Sequence, residues 1–496
     1  MAYRVSSFHP LFKYPGPILF RVSRLPALWI LLQGKQHQYY QALHIKYGRY
    51  VRTGTTQLAS QLDSKIHLPV SGPNHLHISD AGSLPIIQGS PRFLKSARYD
   101  AIKRPEGISS ILGLRSLKEH SQRRRLWDRG LNKAALKDYD MPLAARTTEL
   151  VDNLVRKCDT EVVDFAQWLS YFSFDFMGDL AYGGVYNVMR IGKDDTGIIA
   201  LSKCVVALHE AAGTIPWIRA FFNYLPLGSS NLKSHMNFAK QTILNRIERG
   251  PSSTRDLFSY LLGEYEDDPR LDTPTLIAEA VFAIIAGSDT TAAALSNVFF
   301  FLVSSTKVFH RLRTELDELN CHTDATAAEL ANLPYLNAVI NESLRLQPLA
   351  PNGLQRVLTN ENGAGEMVNG YYIPPMTNVQ VSHYCIHHDP EYWSPYPDRF
   401  WPERWLANAT EFMTEPERQH YRMGQEIAFF PFSHGPTACA GKALALVEMR
   451  TVIAAIVANF DIAFEPGWDT REWERDLKDF FILRVGRLPV IFTARK

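Results

Sequence analysis

From Leu117 to about residue 460, apolar residues recur at three- and four-residue spacing. That is the period of helices that bury one face. The pattern predicts helices over residues 36–48, 276–303 and 442–460, among others. Breaks fall at 216–230, 267–274 and 360–375, each with one or more prolines among turn-forming or polar residues. Residues 50–100 alternate short strand-like runs with Gly and Pro. Between residues 390 and 436 no period is sustained, and Pro, Trp, Tyr and Arg are frequent. A long, ordered, irregular connection of this kind usually has a functional reason. No repeat and no low-complexity linker is present. The expected fold is mainly α with a small β portion. A Pro-rich segment over 1–35 precedes one large domain over 36–496.

Composition narrows this picture only a little. The chain has 496 residues, 46% hydrophobic and 21% charged, enough to build a core that encloses a cofactor. A net charge of +2 gives no global argument for nucleic acid, so none is expected as a partner. The five cysteines are scattered, which suggests neither a disulfide framework nor a zinc site. Their odd number fits a reducing compartment. No apolar run reaches the ~18 residues of a spanning helix, and the N-terminus lacks a secretory pattern.

Three places carry candidate chemistry. Cys439 follows Phe432 and Gly435, precedes Gly441, and stands just before a helical run. The glycines permit tight turns and close approach by a flat cofactor. The helix N-terminus favours a thiolate, the form an iron ligand must take. Taken alone, a lone cysteine is more often a buried small hydrophobe. The apolar run 276–303 contains Ala286, Gly287, Ser288, Asp289, Thr290 and Thr291. A helix-interior glycine, an acid and two threonines there need explaining; a kinked core helix with satisfied hydroxyls is the plain alternative. Glu342 and Arg345 stand three apart, as do many surface pairs. His120 and Arg124 are four apart and share a helical face.

Together these residues resemble the cytochrome P-450 superfamily, in its fungal microsomal-type members. The match runs over nearly the whole chain from His9 onward. The resemblance implies the fold of that superfamily, with haem b between the oxygen-binding helix and the Cys439 loop. Cys439 is then the axial thiolate. Phe432, Gly435 and Gly441 match the haem-binding loop. Ala286 and Gly287 leave room over the haem. Asp289 and Thr290 are the catalytic pair, Thr290 hydrogen-bonding bound oxygen or a water and Asp289 relaying protons. His120, Arg124 and Arg356 contact the haem propionates. Glu342, Arg345 and Arg404 form a buried structural triad. One position departs: where the family usually has Arg or His two residues before the cysteine, this chain has Thr437, so a propionate contact is expected to be weakened or lost.

The same resemblance implies a monooxygenase that uses O2 and draws electrons from NADPH through a separate reductase. Arg125, Arg129 and Lys133 are either a solvated stripe or its docking face. The segments 108–114, 205–213, 351–354 and 480–482, with Phe282 and Ile285, are expected to line a pocket for a lipophilic small molecule, and fungal secondary metabolism is the expected context. Residues 9–17 resemble fungal members that carry a membrane anchor upstream, so association with the cytosolic face of the endoplasmic reticulum is expected, although no anchor is visible. Two other functions stay open: a reductase-independent haem-thiolate isomerase, dehydratase or peroxygenase, and a haem-binding protein without turnover. Finally, removing residues 54–71 joins Val51-Arg52-Thr53 to Gly72-Pro73-Asn74 and restores the family pattern in register. The expectation is an insertion, read here as a retained intron.

Overall fold

The computed structural model describes residues 2–54, 75–103, 107–184, 186–195, 197–215, 229–250, 255–264, 271–319, 325–359 and 363–495. Except for Gly54, the proposed insertion lies outside them.

The predicted long helix spans Thr273–Ser304. It starts where Asp272 accepts a hydrogen bond from the Thr275 amide and where Pro274 sits in the first turn. Its 32 residues reach about 48 Å. Among the described residues it is the one helix long and apolar enough to cross a membrane, yet most of it is buried inside the molecule. It packs along the Phe165–Tyr182 helix, itself buried over nearly its whole length. The Lys442–Asn459 helix follows the Cys439 loop and packs against the long helix. These three helices carry the larger apolar core.

Among the described residues the β portion is a five-stranded sheet with three smaller sheets beside it, two of two strands and one of three. Tyr50–Gly54 pairs antiparallel with His75–Ile78, which runs parallel to Asn378–Val381. Asn378–Val381 pairs with Arg356–Leu358, and that strand pairs with Phe93–Lys95. The first two strands bracket residues 55–74: Gly54 stands opposite His75, with a register irregularity between Arg52 and Gly54. A second, smaller core lies against this sheet.

Two breaks read from the sequence hold more order than expected. Within 360–375, Glu366–Val368 and Tyr371–Ile373 form a hairpin. Asn369 and Gly370 turn it with φ of 43° and 84°, the left-handed pair a two-residue hairpin favours. The other break, 216–230, ends inside a helix that begins at Ser229, and residues 216–228 lie outside the described residues. The N-terminal segment also folds, into helices Ile18–Val22 and Leu25–Gln33. The Arg52 amide donates to Pro15 O, and a side chain at Gly16 would strike the Arg52 carbonyl oxygen at 2.3 Å. The segment is thereby sealed onto the sheet.

Candidate active site

The Cys439 loop closes on itself through the Cys439 amide, which donates to Phe432 O at 2.9 Å. Gly435 adopts φ of 75°, and a Cβ there would meet Gln88 O at 2.6 Å. Its lack of a side chain thus lets the loop lie against the Ser83–Gly89 helix. Gly441 caps the following helix with an ordinary φ of −82°. A Cβ there would meet only Cys439 Sγ, at 3.9 Å, an ordinary contact. Cys439 is surrounded by protein, and burial raises its thiol. The Gly441 amide, Arg124, Lys442 and the Lys442 amide oppose that shift without overcoming it. The expected thiolate-favouring helix end is therefore present but outweighed by desolvation; a metal cation at the sulfur would reverse this. The side chain nevertheless stays accessible, so it borders an internal space. Cys385 is the contrast: fully packed, with its thiol pushed up to about 12, it is the small buried hydrophobe.

Four basic side chains gather beside this loop. Arg124 donates from Nη1 to Ala438 O at 2.5 Å, next to the cysteine. Arg356 donates from Nε to Gln88 Oε1 at 2.7 Å and from Nη2 to Thr437 Oγ1. His120 is buried, and burial first, then Lys95, Arg124 and Arg356, lowers it to about 4. Lys95 donates to Ile111 O and Leu112 O, both at 2.8 Å, and burial followed by Arg356 lowers it to about 7. Arg124 is partly offset, since its Nε donates to Asp128 Oδ1 at 2.6 Å, but Arg356 and Lys95 have only neutral hydrogen-bond partners, and such a buried basic group suits an anion. The two carboxylates of haem meet that need, and the accessible cysteine beside the cluster meets the iron's. The residues present therefore fit haem.

Lys95 escaped the sequence reading. It and Arg356 are direct partners across antiparallel strands, 261 positions apart in the chain, and the strand of Lys95 carries no motif. Thr437 is explained by the same geometry, since Arg356 reaches its hydroxyl.

On the long helix, Phe282, Ile285, Ala286, Asp289 and Thr290 are half-buried, while Ala283, Ile284, Ser288 and Thr291 are buried. The first set repeats at three- and four-residue spacing and forms one accessible stripe in a core helix. Burial raises the Asp289 carboxyl; Lys203 and Arg484 oppose this. Thr290 donates from Oγ1 to Ala286 O at 2.6 Å, which leaves its oxygen free to accept. Gly287 departs from its expected role: a Cβ there would strike Met177 Sδ at 2.5 Å. Its smallness serves the crossing with the Phe165–Tyr182 helix. A second residue missed from sequence is Glu448, on the helix that follows Cys439. It is buried, it accepts from Ser173 Oγ at 3.2 Å and from Thr291, and burial pushes it up to about 8. Through Thr291 it ties that helix to the residue beside Thr290.

The triad residues come together as expected. Arg345 makes two bonds to the Glu342 carboxylate, both 2.9 Å, and Arg404 Nε adds a third at 3.1 Å. Trp405 Nε1 and the Trp401 amide complete the ring around Glu342. Burial alone would raise Glu342, but the two guanidinium groups hold it below the usual range. Remaining Arg345 and Arg404 donors reach backbone carbonyls of His387 and Tyr396. Such a site is bidentate and planar, which suits arginine and not lysine.

The expected pocket segment 351–354 is tied to the residue that leads into 480–482. Asn352 Nδ2 donates to Asp479 Oδ2 at 2.6 Å, next to the turn where Phe481 takes φ of 77°.

Comparison with known proteins supplies independent ground. The cytochrome P-450 family model matches residues 87–484. The chain is similar to cytochrome P-450 67 of Uromyces fabae, 30% identical over 501 residues, covering 98% of this chain and 87% of that one. It is similar to cytochrome P-450 monooxygenase FCK2 of Fusarium pseudograminearum, 30% identical, covering 99% and 83%. It is also similar to tryprostatin B 6-hydroxylase of Aspergillus fumigatus, 28% identical, covering 98% and 81%.

Proposed function

We propose a function from the premise that the chain belongs to the cytochrome P-450 family and is a monooxygenase. From that premise we propose that it inserts one oxygen atom of O2 into a lipophilic small molecule of fungal secondary metabolism, with electrons from NADPH through a separate reductase. Haem bound here supplies the iron at which dioxygen is activated.

The chain's own residues have distinct tasks in this reading. Cys439 would hold the iron through its sulfur, which as thiolate would supply electron density to it. Lys95, His120, Arg124 and Arg356 hold the propionates. Asp289 holds and releases a proton at its carboxyl, which its raised pKa suits. Thr290 Oγ1, already donating to Ala286 O, accepts a hydrogen bond on the accessible stripe. Phe282 and Ile285 on that stripe keep the reacting region apolar. The exposed Arg125 and Lys133 with half-buried Arg129 offer a face to an acidic reductase. Membership of the family supports association with the endoplasmic reticulum on the cytosolic side.

The observation that carries the proposal is the accessible Cys439 beside a cluster of basic side chains in which only Arg124 has a direct carboxylate partner, Asp128. The test is turnover with a NADPH-dependent reductase under isotopically heavy dioxygen. Product carrying one heavy oxygen is expected. NADPH-independent conversion, or product without the label, would refute the monooxygenase reading. Cys439→Ala should abolish the red-shifted band of the reduced carbon monoxide complex.

A further inference from the structure

The hairpin of Lys478–Phe480 and Ile482–Arg484 is paired so that Lys478 stands opposite Arg484, Asp479 opposite Leu483 and Phe480 opposite Ile482. Side chains alternate across a strand, so Arg484 shares a face with Ile482 and, across the pair, with Phe480. Asp479 and Leu483, on the other face, are buried, and Asp479 is held by Asn352. Phe480 and Ile482 belong to the expected pocket. Arg484 therefore looks the same way as they do, and its guanidinium lies over the Phe480 ring at 4.9 Å.

From there Arg484 reaches the Ile198–Thr214 helix, part of which is another expected pocket segment, and donates from Nη2 to Lys203 O. Among the described residues this is its one hydrogen bond, and it enters no ion pair. Most of its five N–H donors are thus unengaged. None of its nitrogens is sealed away from solvent without a partner, so those donors face open space. Lys203 is half-buried and likewise enters no ion pair among the described residues. Both cations act on the Asp289 carboxyl without touching it: burial raises it, and Lys203, then Arg484, oppose the shift. One buried carboxyl cannot neutralise two cations. The pair stands at the accessible stripe of the long helix, which Phe282 and Ile285 share, with positive charge to spare.

A guanidinium with free donors in apolar surroundings suits a carboxylate, which it can hold through two parallel bonds. In a mostly apolar pocket such a group fixes the orientation of what binds. We infer that Arg484, assisted by Lys203, is the specificity-determining group of this pocket and takes the carboxylate of an acidic lipophilic substrate. The inference deepens the function proposed above and rests on its reading of this space as the substrate site.

The test reads binding alone, without reductase or turnover. The haem-loaded full chain is titrated with dodecanoic acid, methyl dodecanoate and dodecylamine, and with naphthylacetic acid and its methyl ester, and the shift of the haem absorption band is followed. Each acid is expected to bind about ten- to a hundredfold tighter than its ester, the scale of charge-assisted bonds. Arg484→Gln should remove most of that preference, Lys203→Gln should remove less, and Arg484→Lys should keep part of it. All three variants should retain haem content and the carbon monoxide band, since neither side chain is among those assigned to the iron or the propionates. Esters that bind as tightly as their acids overturn the inference, as does wild type that takes neither acid. A preference for the amine also overturns it and assigns recognition to Asp289. An acid preference that survives Arg484→Gln overturns it as well. Failure of the monooxygenase reading shows elsewhere, as product without the oxygen label, and leaves this binding result standing.

Discussion

Arg356 donates to Thr437 Oγ1, so the position where the family places a basic side chain is met by a guanidinium from a strand of the five-stranded sheet. The same arginine is braced by Gln88 Oε1 at 2.7 Å. A cationic contact at this place is thus delivered from the sheet and not from the cysteine loop.

Arg356→Leu should loosen haem more than Thr437→Val does. A charge-assisted bond is worth about 1.5–3 kcal/mol, so haem loss should be roughly ten- to a hundredfold faster in the arginine variant. The threonine variant should change it by less than about tenfold. Haem transfer to a haem-free globin measures both. Equal rates in the two variants would show that Arg356 does not hold the group.

Thr290→Ala should keep haem and the thiolate band but divert electrons to peroxide. The side chain bonds only its own helix, at Ala286 O, so its loss leaves the fold intact. The ratio of product formed to NADPH consumed measures the effect, with a fall of about 10²–10⁴ in the proton-dependent step as the upper range. Unchanged coupling would remove Thr290 from proton delivery.

Glu448 gives a pH dependence with a definite sign. Its carboxyl is raised from 4.5 to about 8 in the fold. Between those values the folded state keeps a proton that the unfolded state has lost, so this group's contribution to stability falls as pH rises through the window. Glu448→Gln cannot ionise. Relative to wild type, the variant should therefore gain stability steadily from pH 4.5 to 8. Urea unfolding midpoints of both proteins across that range provide the measurement. A constant difference would mean that Glu448 is charged in the fold.

Deleting residues 54–71 should leave or raise the yield of haem-loaded protein. Gly72 would then stand in place of Gly54 opposite His75, leaving Pro73-Asn74 as the turn. Proline presets the backbone angle at the second position of a turn. Replacing a 20-residue connection by two residues lowers loop-closure entropy cost by up to about 2 kcal/mol. Loss of folding on deletion would make the segment structural, and a transcript that retains its codons as the main spliced form would refute the retained-intron reading.

What could be read from the sequence was local or carried by tight motifs. Helix period alone located Thr273–Ser304 and Lys442–Asn459 to within a few residues. Glu342, Arg345 and Arg404 were legible because each stands in a short motif, and so was Cys439. Such readings succeed because a helix face and a tight loop are set by neighbours a few positions away. Tertiary structure decided the rest. Lys95 meets Arg356 only through strand pairing, and Arg356 meets Thr437 only because the sheet and the cysteine loop pack together. Gly287 proved to be the neighbour of Met177, a matter of how two helices cross. Glu448 is neutral because the fold buries it with hydroxyls and no cation, while Glu342 is ionised because two arginines converge on it. A carboxylate's charge depends on what surrounds it in space, and spacing along the chain carries no record of that.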